Sequence, residues 1–148
     1  MNKFNLSLDK PIKNIFENNY YTDNISEKDR LASPMPEWYN KLLDKSYSEL
    51  TLFDVTRMLM QNIYTDIALQ KAKEFLTENP LCGEYYDCHL LEVISRLDAL
   101  YLEKDRIFYE NLITKAYEEI EKYNFESTEE KQAALRIINK IKIKISGE

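Results

Sequence analysis

The sequence predicts an all-α fold: a compact single-domain helical bundle of about five to seven helices with an irregular N-terminal region. Three observations carry this. Apolar residues recur at helical spacing in every long segment, and Leu, Lys, Glu and Ala dominate those segments. Runs of Val, Ile and Thr bounded by turn residues, the material of β-hairpins, are scarce. The chain holds only two glycines, Gly83 and Gly147, so it contains no Gly-rich phosphate loop and no dinucleotide-binding turn, which argues against a nucleotide-binding α/β fold. At 148 residues a single apolar core suffices without disulfide or metal support.

The elements follow from local signals. Asp9 caps a short helix entered through Lys10 and Pro11, with Ile12, Ile15 and Phe16 on one side and Asn18 and Asn19 closing it. Pro34 and Pro36 break the chain, and Pro36 suits the first position of a helix in which Trp38, Leu42 and Leu43 recur. Trp38 reads as a core anchor. Thr51 and Asp54 form a capping box with a short acid and open a helix with Leu52, Val55, Leu59 and Ile63 on its inner side. The apolar pattern resumes through Ile67, Ala68, Ala72, Phe75 and Leu76 and stops before Asn79 and Pro80, with or without a break near Tyr64.

Pro80 to Gly83 form a connection, after which Asp87 is the expected N-cap for Leu90, Leu91, Val93, Ile94 and Leu97. A longer helix is expected over about Glu103 to Tyr123, with Ile107, Phe108, Leu112, Ile113, Ala116, Tyr117 and Ile120 on its inner stripe. Ser127 and Glu130 make a second capping box. The helix they open carries Ala134, Leu135, Ile137, Ile138, Ile141 and Ile145, with Lys140, Lys142 and Lys144 in its last turns. Because Ile141, Ile143 and Ile145 alternate with lysines, an edge strand there is the alternative.

The residue inventory restricts the chemistry. His89 is the sole histidine, so His-based acid–base or nucleophilic catalysis has one candidate, and no catalytic residue is assigned. Cys82, Cys88 and His89 lack the paired spacing and the fourth ligand of a zinc site, and the two Glu-x-x-His motifs of a di-iron bundle are missing: Tyr86 stands three residues before His89. No metal or cofactor is expected. The cysteines read as reduced thiols with Cys88 near the core, and His89 falls in the first turn of a helix. Paired acids such as Glu118 and Glu119 do not face each other on a helix and read as solvated surface. An N-terminus without an apolar signal segment, and no run long enough to span a bilayer, give a cytoplasmic reading without membrane association.

Charge is the more informative feature. The chain carries 26 acids and 20 bases, a balance that disfavours nucleic-acid binding and favours basic protein partners. The imbalance is local: from Glu74 to Glu103 seven acids face one base, Arg96, while the rest of the chain is neutral. Within that window Tyr85 and Tyr86 are flanked by Glu84 and Asp87. Aromatic anchors rimmed by carboxylates suit an interface directed at a basic surface, the rings supplying affinity and the acids steering and register. The candidate interface is therefore Glu78, Glu84, Tyr85, Tyr86, Asp87 and Glu92, with a weaker patch at Tyr20, Tyr21 and Asp23.

The segment Pro34-Met35-Pro36-Glu37-Trp38-Tyr39, then Ser48-Glu49-Leu50-Thr51-Leu52-Phe53-Asp54, then Asn79-Pro80-Leu81-Cys82-Gly83-Glu84-Tyr85-Tyr86-Asp87 with Leu90 and Leu91, resembles a family of all-helical immunity proteins of bacterial contact-dependent growth inhibition systems. The likeness spans about residues 31 to 97, and Cys88 and His89 depart from it, standing where a small residue and an acid are expected. The resemblance implies a small non-enzymatic cytoplasmic protein that neutralises a toxin delivered by a neighbouring cell. Its partner would be the toxin's C-terminal domain, a basic nuclease and foremost one that cleaves RNA, bound one to one. The acidic window then has a use: it can occupy the cationic groove in which such an enzyme holds phosphates. The competing readings are an acidic helical adaptor or regulatory subunit for another basic protein, and a carboxylate-dependent enzyme with two opposed acids in a cleft.

Overall fold

A computed structural model describes residues 37–146, with side chains from Trp38 onward. Among these residues there are seven α-helices and no strand: α1 (Glu37–Asp44), α2 (Leu52–Gln61), α3 (Thr65–Glu78), α4 (His89–Ser95), α5 (Ala99–Glu103), α6 (Arg106–Lys122) and α7 (Thr128–Ser146). The expected Asp9 helix, Pro36 and the Tyr20, Tyr21 and Asp23 patch lie outside the described residues. The chain divides into two compact units between Lys71 and Ala72, within α3.

In the first unit, α1 buries Tyr39, Leu42 and Leu43, while Trp38 is half-buried. A 3₁₀ turn, Tyr47–Glu49, follows and buries Tyr47. The Thr51 capping box that opens α2 forms as expected: Thr51 Oγ1 accepts from Asp54 N at 3.1 Å, and Asp54 Oδ2 accepts from Thr51 N at 3.0 Å. Asp54 is buried, and Lys45 Nζ donates to the same Oδ2 at 2.7 Å. Burial opposes ionisation of Asp54, but the hydrogen bonds from Lys45 and Thr51 outweigh it and hold the carboxyl below its ordinary range. The break near Tyr64 is present. Asn62 and Tyr64 both adopt positive φ, 55° and 47°, so α2 ends and α3 begins with Ile63 and Tyr64 buried between them.

The second unit is organised around α7, which packs against α4, α5 and α6. Its buried face is Ala134, Ile137, Ile138, Ile141 and Ile145, and it remains helical to Ser146, so the strand alternative does not form. Spacings of three and four residues place these five side chains on one stripe, whereas the alternation of Ile141, Ile143 and Ile145 leaves Ile143 exposed. Ser127 Oγ accepts from Glu130 N at 3.1 Å, the N-terminal cap expected there. Lys144 has a further role: its Nζ donates to the Ser95 and Leu97 carbonyls, which satisfies acceptors at the C-terminal end of α4.

Two expectations are corrected. The long helix expected over about Glu103 to Tyr123 forms as α6, from Arg106 to Lys122, and the short helix α5, absent from that expectation, precedes it. Ile107, expected on the inner stripe, stands two residues before Tyr109, about 200° around the helix, off the stripe set by Tyr109, Leu112, Ile113, Ala116 and Ile120, and is 74% exposed. Asp87 does not cap α4. That position belongs to Cys88, held at φ 67° with a fully buried side chain, so the chain reverses sharply after Asp87 and turns the carboxylate outward.

Candidate functional site

The loop between α3 and α4 presents the predicted aromatic pair, and backbone hydrogen bonds fix its shape. Asn79 Oδ1 accepts from Leu81 N at 3.0 Å, Cys88 N donates to the Leu81 carbonyl at 2.8 Å, Leu90 N to the Cys82 carbonyl at 3.3 Å and His89 N to the Tyr86 carbonyl at 3.1 Å. Gly83 is required by space: a Cβ there would stand 2.0 Å from the Tyr86 carbonyl oxygen and 2.6 Å from His89 Cβ. The loop is thereby folded tightly against the start of α4, and its next residues, Glu84, Tyr85, Tyr86 and Asp87, all point to the surface.

Tyr85 and Tyr86 are 61% and 48% exposed, large values for aromatic side chains. Their rings lie against His89, with centroids 5.3 and 4.5 Å away. His89 is itself buried in the first turn of α4, and its Nδ1 has no hydrogen-bond partner among the described residues. Burial lowers its pKa, partly offset by Glu92, so the ring that backs the tyrosines is neutral at physiological pH. Burial, with the hydrogen bond from the phenol to Glu92, raises the pKa of Tyr86. Glu92 is also paired with Arg96 one turn along α4.

These side chains form one side of a concave groove of about 600 Å³. Gly83, Glu84, Tyr85, Tyr86, Asp87 and Glu92 line it from the α3–α4 loop and α4. Tyr123, Asn124, Phe125, Glu126 and Glu130 line it from the α6–α7 connection and the start of α7, and Ala133, Ala134 and Ile137 complete it. Tyr123 and Phe125 meet edge to face at 4.6 Å. Five carboxylates and four aromatic rings thus share one lining, and no lysine or arginine belongs to it.

Five of the predicted interface residues, Glu84, Tyr85, Tyr86, Asp87 and Glu92, line this groove together. Glu78, exposed near the end of α3, does not. Sequence reasoning missed the opposite lining, although Tyr123-Asn124-Phe125-Glu126 carries the same signature of aromatics beside acids in a break between helices. Among the described residues no group of three or more His, Cys, Asp or Glu side chains is arranged to hold a metal ion. Burial pushes the Cys82 and Cys88 thiols up to about 11 and about 12, which makes them poor nucleophiles and poor metal ligands at neutral pH. No helix among the described residues is long and apolar enough to cross a membrane.

The family described as CDI immunity proteins matches the chain over residues 19–112. The chain belongs to this family. The match includes α1 to α5 and the start of α6, and with them the loop that presents Tyr85 and Tyr86. Membership gives the protein an immunity function. The second lining of the groove, from Tyr123 onward, lies beyond the matched residues, so in this immunity protein one side of the groove falls inside the family region and the other outside it. No curated protein and no solved structure matches the chain.

Proposed function

We propose that this immunity protein neutralises the C-terminal toxin domain of its contact-dependent growth inhibition system by binding it one to one in the cytoplasm, and that the toxin is a basic nuclease acting on RNA. Binding is through the groove between the α3–α4 loop and the α6–α7 connection. The observation that carries this reading is the composition of the groove: five carboxylates, four aromatic rings and no base in one concave surface of a family member whose family role is immunity. An enzyme that cleaves RNA exposes a cationic surface for phosphates, and an acidic groove competes for that surface.

The rings and the carboxylates have separable tasks. Tyr85, Tyr86, Tyr123 and Phe125 supply the apolar area that converts encounter into a long-lived complex, whereas Glu84, Asp87, Glu126 and Glu130 accelerate encounter and set orientation. Glu78 and the other acids of the Glu74–Glu103 window act at longer range through the field they add. Tyr21 and Asp23 are proposed as a further contact.

The test is protection of growing cells that express the cognate toxin domain. The double substitution Glu84→Lys and Asp87→Lys is expected to abolish protection while its helical circular dichroism is retained. Full protection by the folded double variant would remove the groove from the mechanism.

A further inference from the structure

Resting on the toxin-binding reading, we infer that the groove is built for arginine: the partner segment that enters it carries a planar guanidinium rather than a lysine ammonium. The lining is the reason. A lysine ammonium is a compact, strongly hydrated charge that pairs with carboxylates and gains less from exposed rings, whereas a guanidinium is weakly hydrated, stacks on aromatic faces and donates in a fork to carboxylate oxygens. The groove offers both kinds of surface at once, with Tyr85 and Tyr86 on one side and Tyr123 and Phe125 on the other.

The carboxylates are unequally engaged within the protein. Glu92 is paired with Arg96, and Asp87 accepts from Tyr123. Glu84, Glu126 and Glu130 accept no side-chain hydrogen bond and form no salt bridge among the described residues, so they are open to a cationic donor. Glu126 follows directly on Phe125 and Glu130 lies in the first turn of α7, which puts ring and acids on the same stretch of lining. A volume of about 600 Å³ lies in the range of sites that enclose small organic groups. The observed combination is therefore a concave surface with unpaired acids beside exposed ring faces, complementary in charge and shape to an arginine-bearing peptide segment.

The experiment uses the full chain and two short peptides that differ only in bearing two arginines or two lysines, titrated separately and followed by NMR of the aromatic side chains. The arginine peptide is expected to bind about fivefold more tightly and to shift the ring signals of Tyr85, Tyr86, Tyr123 and Phe125. Phe125→Leu, which keeps apolar bulk and removes one of the four rings, should narrow this preference, and Glu126→Gln with Glu130→Gln should weaken both peptides. Equal affinity for the two peptides, or shifts confined to other tyrosines, would overturn the inference. That failure is distinct from failure of the toxin-binding reading, which is decided by protection with the Glu84→Lys and Asp87→Lys variant whatever the peptides do.

Discussion

Tyr123 donates its phenolic hydrogen to Asp87 Oδ2 at 2.9 Å, and this bond joins the α6–α7 connection to the α3–α4 loop. It ties the two linings of the groove together at the surface. The hydrogen bond to Asp87 also raises the Tyr123 pKa. Because the folded value lies above the unfolded one, the tie contributes below the ordinary phenol range near pH 10 and is lost as pH rises through the higher folded value. Asp87→Asn is expected to return the Tyr123 titration, followed by ring-carbon NMR, toward the ordinary range. Tyr123→Phe should weaken toxin binding about threefold and lower the thermal midpoint slightly. A Tyr123 titration indifferent to Asp87 would contradict the tie.

Gly83 is the residue on which the shape of the α3–α4 loop depends most. Ala at this position would drive its Cβ into the Tyr86 carbonyl and His89, and backbone atoms cannot yield as a side-chain tip does. Gly83→Ala is expected to cost about 2 kcal/mol in urea denaturation and to lower toxin affinity at least tenfold by displacing Tyr85 and Tyr86. An unchanged midpoint together with unchanged affinity would refute the account of the loop.

The first unit depends on Asp54, which joins the capping box of α2 to Lys45. Its folded pKa is lowered, so its contribution is present above the ordinary value of 3.8 and is lost as pH falls through the lower folded value. Asp54→Ala should cost about 2 kcal/mol at pH 7, and the variant should lose less stability than the parent between pH 5 and about 2. Parallel acid limbs for the two proteins, measured by denaturant melts at each pH, would contradict this assignment.

Much of the fold is legible in the chain because its helices announce themselves locally. Thr51 with Asp54 and the isoleucine stripe of α7 act within a few residues and form as expected, and Ser127 makes half of its expected capping box, its Oγ accepting from Glu130 N without the return bond to the Glu130 carboxylate. What fails locally is phase. Ile107 is read as inward although it lies on the side of α6 opposite Ala116, and Asp87 is read as a cap only while a positive φ is not expected at Cys88. The groove was half legible for a related reason. Glu84 to Asp87 is contiguous, so a charge window detects it. The facing Tyr123 to Glu130 is brought there by the packing of α7 on α4 and α6, a relationship that no window along the chain contains.

The cysteines give a separate check on the packing of the second unit. With pKa values pushed by burial to about 11 for Cys82 and about 12 for Cys88, both thiols are almost wholly protonated at pH 8. The native protein is expected to react with a colorimetric thiol reagent at less than about a hundredth of the rate of a free thiol, and both thiols should react promptly in denaturant. Rapid modification of either in the native state would show that the loop around Gly83 opens readily.

The central claim is that opposite charge draws the toxin domain to this groove. Its most direct measurement is the association rate with the cognate toxin domain as a function of ionic strength, for the parent and for a Glu84→Lys, Glu126→Lys and Glu130→Lys variant. The parent rate is predicted to fall about tenfold or more between low and high salt, and the variant should associate slowly with little salt dependence. Identical salt dependence in the two proteins would contradict the claim.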